Sequence, residues 1–364
     1  NQKLDYYYQY NRLTNIRFPD LEDGSVNPSN VEYIFGETGN RAGRLVGQLD
    51  ATGVQRFEYD EMGALTYIYI YPDNEKLLYN YDLGGNLREM VNDKGEIYIK
   101  SIGYDEYEQK TFQQYGNNTE NRYSYEPELR RLSNMQALAA TGGQMFNNTY
   151  TFDKVGNILQ LENEAIANSS NNIGGRYSHT YSYDVLNRLV GASGSFDGST
   201  EFALTGEKSA DYQLVMRYDN LHRITEKIQI HNKNDEMFVE NSYRNIYEYG
   251  TDKPHTVIKI AGSNGDHRFR YDLNGNMLLH AGPDIDQQMY WDEVNRMRTI
   301  EDAENRKMHH YIYDADGQRV MKGSGGIEAV YQNGAIVNET AWMGNYTMYP
   351  SGYVVRDAKG VTTK

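Results

Sequence analysis

The chain has 364 residues, including 34 Tyr, 34 Gly, 7 Pro and no Cys, and its formal net charge is −15. That charge opposes binding to the phosphate backbone of nucleic acid, and no stretch has the length and apolarity of a transmembrane helix. With 13% aromatic residues, the composition favours a broad sheet packed by amphipathic rings over a thick aliphatic core. Without Cys the chain can form no disulfide, and this absence neither indicates nor excludes export from the cell.

The two ends predict an internal piece of a longer protein. Residues 1–4 form neither an initiator Met nor a signal peptide. Residues 8–13 already look like a repeat in progress, and no closing element precedes Lys364. The repeat described next runs through the chain without linker composition, so we expect residues 1–364 to form a single continuous region without a separate catalytic domain.

From residue 59 onward, one short phrase recurs: an aromatic residue, then Asp, then Gly, Asn or His three positions after the Asp. Such self-similarity is typical of repeat architectures, in which each unit packs only on its neighbours. The copies are Tyr59-Asp60 with Gly63, Tyr81-Asp82 with Gly85, Phe152-Asp153 with Gly156, Tyr183-Asp184 with Asn187, Tyr218-Asp219 with His222, Tyr271-Asp272 with Gly275, Trp291-Asp292 with Asn295, and Tyr313-Asp314 with Gly317.

Each phrase predicts the tight turn of a β-hairpin. The Asp can accept hydrogen bonds from backbone amides ahead of it, and Gly, Asn and His are the residues that best tolerate the positive φ of a type I turn with a bulge. The aromatic residue would end one strand. An aliphatic residue would begin the next strand, as at Leu65, Leu87, Ile158, Leu189, Ile224, Met277, Met297 and Val320.

The segments between the phrases fit strands. Residues 65–71 alternate tyrosines with Thr and Ile, as a strand does. Residues 72–74 predict a turn, and residues 76–81 are predicted to form the antiparallel strand that follows it. Residues 134–140 are interpreted as a loop or a single helical turn. Polar stretches around 165–175, 193–209 and 231–236 are interpreted as long hairpin tips or loops.

Three phrases carry a family resemblance: residues 81–87, 183–189 and 271–277 resemble the YD repeats of the Rhs family. Lys253-Pro254-His255-Thr256-Val257, followed by residues 291–297 and 313–320, is similar to the late part of bacterial Rhs chains. The resemblance covers nearly the whole chain. The unit at Tyr125-Glu126-Pro127-Glu128 departs from the phrase, and we expect a different turn there.

The resemblance implies a spiralling, all-β sheet of consecutive antiparallel hairpins that forms a hollow shell, as in bacterial polymorphic toxins, the encapsulating component of insecticidal toxin complexes, and teneurins. It implies a bacterial, secreted, cell-surface or secretion-system-delivered protein that sequesters its own C-terminal toxin, used in interbacterial competition or host targeting. A component of a secretion system would be a second partner. The sequence ends before any core motif, so self-cleavage and toxin activity are not carried over.

Residues typical of enzymes and metal sites give no convincing constellation. Asp314-Ala315-Asp316-Gly317 has Arg319 and Gly325 where a calcium loop needs Gly and Glu, so a turn is favoured. His309 and His310 are adjacent and would point to opposite faces of a strand. Residues 323–326 lack the Lys-Ser or Lys-Thr of a phosphate loop. We therefore predict no enzyme activity, no cofactor and no metal, and assign the residues of the phrases a structural role.

Two alternatives remain open. A β-propeller would also use hairpins, although its blades need an even spacing that these phrases lack. A secreted or cell-surface module that binds carbohydrate or protein through exposed tyrosines is the alternative function. In the shell interpretation, several tyrosines of successive repeats face a lumen and most acidic loops lie outside.

Overall fold

The computed structural model describes residues 3–20, 24, 26–27, 29–50, 53–70, 75–167, 174–198, 209–332, 335–341, 345–351, 354–357 and 360–363, and all structural statements concern these residues. They contain strands and two 3₁₀ turns, η1 (Gly39–Arg41) and η2 (Val239–Asn241), and no α-helix. No helix within these ranges is long and apolar enough to cross a membrane.

The strands follow one another along the whole described chain. They are β1 Asp5–Gln9, β2 Arg12–Arg17, β3 Val31–Phe35, β4 Leu45–Asp50, β5 Gly53–Tyr59, β6 Leu65–Ile70, β7 Glu75–Tyr81, β8 Leu87–Asn92, β9 Ile97–Tyr104, β10 Lys110–Tyr115, β11 Glu120–Tyr125, β12 Leu132–Leu138, β13 Gln144–Phe152, β14 Ile158–Asn163, β15 Arg176–Tyr183, β16 Leu189–Asp197, β17 Ser209–Tyr218, β18 Ile224–Lys233, β19 Glu236–Met237, β20 Tyr243–Tyr249, β21 Val257–Gly262, β22 His267–Tyr271, β23 Met277–Gly282, β24 Ile285–Trp291, β25 Met297–Asp302, β26 Lys307–Tyr313, β27 Arg319–Gln332, β28 Ala335–Ala341, β29 Asn345–Ser351, β30 Val354–Asp357 and β31 Gly360–Thr363.

Pairing is antiparallel between strands that are neighbours in sequence. Two strands have an additional partner: β18 pairs with both β19 and β20, and β27 pairs with both β28 and β29. The first strand pairs with β2 and the last with β30, and the sheet is not closed. The prediction of an all-β chain of consecutive antiparallel hairpins is therefore confirmed. A β-propeller is not favoured, because the ladder does not divide into separate blades.

The strand ends coincide with the phrases. The aromatic residue is the last residue of its strand in all eight copies, from Tyr59 in β5 to Tyr313 in β26. Seven of the following strands begin at the predicted aliphatic residue. The eighth, β27, begins at Arg319, one residue before the predicted Val320. A one-residue register shift accompanies these turns, as between Arg217 and Tyr218, which is the signature of a bulge.

The chain divides into two compact units. Unit 1 comprises Asn1–Lys100, Arg270–His280 and Asp284–Lys364, and unit 2 comprises Ser101–Phe269 and Ala281–Pro283. Unit 1 has a conventional buried core: Phe18, Val31, Leu77, Met90, Tyr98, Ile99, Met289 and Tyr311. Unit 2 buries Ile102 and small residues: Ala137, Ala165, Ala167 and Ala192. Large rings of unit 2, such as Tyr177 and Tyr212, are only half-buried, as the composition predicts.

Several segments interpreted as loops are strands. Residues 134–138 lie in β12, β16 continues to Asp197, and β18 continues to Lys233. The loop interpretation of 134–140 was wrong because a short segment before Thr141-Gly142-Gly143 can still pair as a strand, and the interpretations of 193–197 and 231–233 were wrong because polar residues do not by themselves indicate a loop. In β17, exposed Gln213 and Arg217 alternate with half-buried neighbours, and strands on both sides satisfy the backbone. The turn predicted at 72–74, and residues 168–173 and 199–208 of the predicted loops, lie outside the described residues.

Candidate functional site: the linked turns

All eight phrases fold into the same five-residue turn. At Asp184, the backbone amide donates to the Arg188 carbonyl at 3.0 Å, and the Asn187 amide donates to the Asp184 carbonyl at 3.0 Å. The residue three after Asp has positive φ in every copy, which is the left-handed conformation of a type I turn with a bulge. The φ values are 89° at Gly63, 85° at Gly85, 100° at Gly156, 59° at Asn187, 62° at His222, 93° at Gly275, 62° at Asn295 and 80° at Gly317.

The Asp carboxylate holds each turn from within. In the Asp219 turn, Oδ1 accepts the Leu221 amide at 2.9 Å and the Arg223 amide at 3.1 Å. The carboxylate at Asp272 accepts the corresponding amides of Asn274 and Asn276. Both amides would otherwise have no partner within the turn, so a short side-chain acceptor is needed at this position.

The residue four after Asp links one turn to the next. Arg188 donates from Nε to Asp184 Oδ2 at 2.7 Å, and its guanidinium lies 4.6 Å from the ring centroid of Tyr218 in the next hairpin. Its Nη1 lies 3.2 Å from His222 Nδ1 in the next turn. Where this position is Asn157, its amide bridges Asp153 Oδ2 and Asn187 Oδ1 at 2.8 and 2.9 Å. The turns that begin at Asp153, Asp184 and Asp219 therefore form a connected row along one edge of the strands.

The aromatic residue provides a second link, to the preceding hairpin. The Tyr183 hydroxyl donates to the Ile158 carbonyl at 2.9 Å, and the Tyr218 hydroxyl donates to the Leu189 carbonyl at 2.8 Å. Trp291 makes the same bond through Nε1, and this explains why Trp can replace Tyr. The other bonds of this type are Tyr59 to Leu45, Tyr81 to Leu65, Tyr125 to Lys110, Tyr249 to Ile224, Trp291 to Met277 and Tyr313 to Met297, all between 2.7 and 2.9 Å.

Phe152 has no donor and is held differently. The Arg131 guanidinium of the preceding turn lies 4.6 Å from the Phe152 ring centroid. Arg131 Nη1 also donates to the Asp153 carbonyl at 2.8 Å. A cation-π contact and a backbone hydrogen bond thus take the place of the missing hydroxyl contact.

The turns differ in electrostatics. The Arg188 guanidinium and the backbone amides of the turn lower the pKa of Asp184. The Arg223 side chain lowers the pKa of Asp219 in the same way. Burial raises the pKa of Asp314, with the nearby carboxylates of Asp316 and Asp50 adding to the effect. The charged form of Asp314 is therefore less favourable than the charged forms of Asp184 and Asp219.

The Asp314 turn contacts the early strands of unit 1. Asp50 Oδ2 accepts the Ala315 amide at 3.0 Å and the buried Gln48 side-chain amide at 2.9 Å. Arg298 Nη1 donates to Ser29 Oγ at 2.6 Å in the same unit. The Ala315–Asp50 and Arg298–Ser29 contacts join residues more than 260 positions apart, and the phrases themselves give no sign of them.

Sequence reasoning missed a ninth turn of the same type. Asp105 Oδ1 accepts the amides of Tyr107 and Gln109, both at 2.9 Å, and Glu108 has φ 63°. The signal was present in the aromatic-Asp pair at Tyr104, but Glu occupies the position for which Gly, Asn or His was required.

Asn92 begins the same kind of turn in the connection between strands β8 and β9. Its Oδ1 accepts the amides of Lys94 and Glu96 at 3.1 and 2.8 Å, and Gly95 has φ 83°. An Asx residue followed by Gly three positions later could have identified it. The turn predicted to differ, at Glu126, does differ: the Glu126 amide reaches the Arg131 carbonyl, so the loop is one residue longer.

The candidate metal and catalytic residues are ordinary strand and turn residues. His309 and His310 lie in β26; the Nδ1 atom of His310 is 3.1 Å from Thr299 Oγ1, and the Nδ1 atom of His309 is buried without a partner. Burial lowers the pKa of both imidazoles. Within the described ranges, no three His, Asp or Glu residues are arranged to hold a metal ion. Asp314 and Gly317 form a turn, while Arg319 and Gly325 belong to β27.

Comparison with known proteins finds a family model, two toxin subunits and a crystal structure that are similar to this chain. The family model for the teneurin YD-shell matches residues 194–333. Toxin subunits YenC1 and YenC2 of Yersinia entomophaga are 26% and 25% identical over 326 and 317 residues, which is 78% and 77% of this chain and 29% of each relative. The crystal structure of TcdB2-TccC3-Cdc42 superimposes with a TM-score of 0.62 at 17% identity, over 98% of this chain and 20% of that one.

The linked hairpins and the superposition define an all-β YD-repeat sheet. The family-model match and the toxin subunits support the resemblance to YD-repeat, Rhs-like shell proteins. The predicted resemblance is confirmed. The chain spans less than a third of the length of the curated relatives it matches.

Proposed function

We propose that this chain is part of the wall of a shell that sequesters a toxin or effector domain. The observation that carries the proposal is the double link at the Asp184, Asp219 and Asp292 turns, in which the aromatic residue bonds to the preceding hairpin and the residue after the turn bonds to the following one. Such a sheet resists local opening, because one hairpin cannot separate without breaking links on both sides. The relatives named as toxin subunits support a role in a toxin complex.

In this proposal the residues of the phrases act structurally, and residues 1–364 form one continuous shell region. The cargo is the C-terminal toxin domain of the same longer bacterial protein, beyond residue 364. A secretion-system component is a second partner, and the protein is secreted, exposed at the cell surface or delivered into target cells. Competition between bacteria or action on a host would be the biological setting.

We further propose that this segment has no catalytic activity and needs no cofactor or metal. The ligand geometry that a structural metal requires is lacking among the described residues. Treatment with a chelator should therefore leave the melting temperature unchanged. A drop of many degrees would show that a metal contributes to folding.

A specific observation also favours the binding alternative at one place. Most tyrosines are packed between hairpins, but Tyr6, Tyr7 and Tyr8 of β1 and Tyr10 at its hairpin tip are exposed. An open groove of about 650 Å³ lies beside Tyr10. Its lining combines aromatic and hydrogen-bonding side chains, the chemistry that recognises sugars or peptides: Gln9, Tyr10, Arg12, Asn15, Glu32, Tyr33 and Phe35.

The experiment that tests the shell uses the natural full-length protein. Its C-terminal domain should resist a protease that digests the isolated domain rapidly. Replacing Asp184 and Asp219 together by Ala should loosen the wall and expose the cargo. The matched control is Asn220→Ala, because Asn220 is exposed in the same turn and has no part in the links. Equal digestion of the cargo in the intact protein and in isolation would refute the proposal, and binding to a glycan array lost in Tyr10→Ala would support the alternative.

A further inference from the structure

Three contacts join the early strands of unit 1 to its late strands. In each contact the early residue is buried, with only 6% or 7% of its surface exposed, so the contacts lie in the interior of the unit. We call these three contacts the seam: Phe18 with Arg296 at 5.9 Å from guanidinium to ring centroid, Ser29 with Arg298 at 2.6 Å, and Asp50 with Ala315 at 3.0 Å.

The contacts of the seam differ in how they respond to pH. The ring of Phe18 and the hydroxyl of Ser29 are neutral, and an arginine keeps its charge up to about pH 12. At the third contact the acceptor is the carboxylate of Asp50, whose Oδ2 atom also accepts the buried Gln48 side-chain amide at 2.9 Å. Of the three contacts, this one therefore depends directly on a carboxylate.

Two more carboxylates lie at the third contact. The Ala315 amide belongs to the residue between Asp314, which is half-buried, and Asp316, which is exposed. Tyr33 of β3 faces the same group: burial raises the pKa of its phenol, and the carboxylates of Asp316, Asp50 and Asp314 raise it further. At neutral pH, three negative charges therefore meet where the early strands contact the late turn.

The Asp314 turn has a neutral residue where other turns have an arginine. Arg188 and Arg223 each form an ion pair with the Asp four residues earlier. Here the position is occupied by Gln318, whose backbone amide donates to Asp314 Oδ1 at 2.8 Å. A hydrogen bond from a neutral amide stabilises the carboxylate less than an ion pair that is also hydrogen-bonded.

Two arginines lie close to the Asp314 turn, and each has another partner. Arg296 donates from Nε to Asp292 at 2.8 Å, and its Nη1 donates to the backbone carbonyl of Asp314 at 3.1 Å. The Arg319 guanidinium lies 5.7 Å from the ring centroid of Tyr311. These cations moderate the repulsion among the three carboxylates from a distance, because their hydrogen bonds and ring contacts are made elsewhere.

We propose that the Asp50–Ala315 contact is a pH-sensitive latch of the seam, which tightens when Asp314 takes up a proton in acid and loosens when Asp314 is ionised. Protonation removes one of the three negative charges, so the Asp50 carboxylate approaches the late turn at a lower electrostatic cost. The two arginine contacts of the seam hold the early and late strands together in both states.

The direction of the latch follows from the setting of Asp314. Burial raises the pKa of Asp314, and the carboxylates of Asp316 and Asp50 add to the effect. The stabilisation that comes with the proton is complete below the ordinary Asp value of about 4 and is lost as pH rises through the higher folded value. The latch concerns the response of the seam to pH, so its failure would leave the shell proposal intact.

Hydrogen exchange of the Ala315 amide tests the latch directly, because this hydrogen exchanges when its bond to Asp50 opens. Exchange is measured in the natural full-length protein at about pH 5 and about pH 7, and each rate is corrected for exchange in an unfolded peptide. We expect protection of Ala315 to be at least about threefold higher at the lower pH. The Arg223 amide, which is bonded to Asp219 in the corresponding turn of unit 2, is the internal control and should not change.

The decisive variant is Asp314→Asn, which cannot titrate and keeps an acceptor oxygen for Gln318. Its Ala315 amide should be equally protected at the two pH values. The matched control is Asp219→Asn, at the same position of a turn in unit 2, which should keep the wild-type response of Ala315. Circular dichroism checks that both variants fold. Equal protection of Ala315 at both pH values in the wild type, an equal rise at the Arg223 amide, or a full response in Asp314→Asn would overturn the proposal.

Discussion

The turn that begins at Asp219 in unit 2 and the turn that begins at Asp314 in unit 1 share a backbone. In both, the Asp amide donates at 3.0 Å to the carbonyl four residues later, and the amide three residues later donates back at 3.1 Å. Their electrostatics are opposite. Arg223 neutralises Asp219, whereas Gln318 follows Asp314 and the carboxylates of Asp50 and Asp316 lie nearby. The repeat therefore specifies the backbone geometry of the turn. The residues around each turn determine whether the charged form of its Asp is stabilised or destabilised.

The largest expected effect tests the shared backbone. Gly317→Val should destabilise the protein by about 1 to 3 kcal/mol, because a β-branched residue resists positive φ. No atom lies within 4 Å of the added Cβ, so the loss reflects the backbone alone. Gly317→Asn is the control, since Asn187 already occupies this position in another turn. Equal chemical-denaturation midpoints for the two variants would contradict the turn geometry.

The next effect tests the aromatic link in the same two hairpins. Tyr218→Phe and Tyr313→Phe should each cost about 1 kcal/mol, because each leaves a backbone carbonyl without its donor. Tyr107→Phe serves as the control, because Tyr107 lies exposed at a turn tip. A loss at Tyr218 without one at Tyr313 would show that the link is not a general property of the repeat.

Neutralising the two carboxylates should give changes of opposite sign. Asp219→Asn removes an ion pair with Arg223 and should lower the melting temperature. Asp314→Asn keeps an acceptor oxygen for Gln318 and relieves repulsion, so it should raise the melting temperature by about 1 to 2 °C. Asp235→Asn, in the β18–β19 hairpin tip, is the control. Two changes of the same sign would contradict the comparison.

The smallest effect is the pH dependence of these differences. Asp219 has a lowered pKa in the folded state, so its stabilisation is present above the unfolded pKa near 4 and is lost as pH falls through the folded value. Asp314 has a raised pKa, so its destabilisation is complete above the folded value and is relieved as pH falls. Each Asn variant should therefore approach the wild-type stability as the pH falls below the folded pKa of the Asp that it replaces, as measured by urea unfolding. An Asp314→Asn advantage that grows in acid would refute this assignment.

The local part of the fold was predictable because one phrase contains a complete hairpin turn. An aromatic residue ends a strand, a short acceptor holds two amides, and a residue tolerant of positive φ closes the bulge. The Asp105 turn was missed because Glu108 adopts this conformation without belonging to the preferred residues. The extension of β18 to Lys233 was missed because neighbouring strands, rather than its own residues, satisfy its backbone.

By itself, the sequence determined the strand ends at the phrases, the turn type and the antiparallel order of the hairpins, since these depend on residues within about five positions of each other. Only the tertiary structure decided which partners the repeated side chains meet. The Tyr218 hydroxyl bonds to Leu189 and Arg188 stacks on Tyr218 because hairpins lie side by side. Asp50 meets the Asp314 turn from the far end of the chain. Such contacts form only when strands that are distant in sequence come together in space. A local sequence pattern does not specify which distant strands will meet.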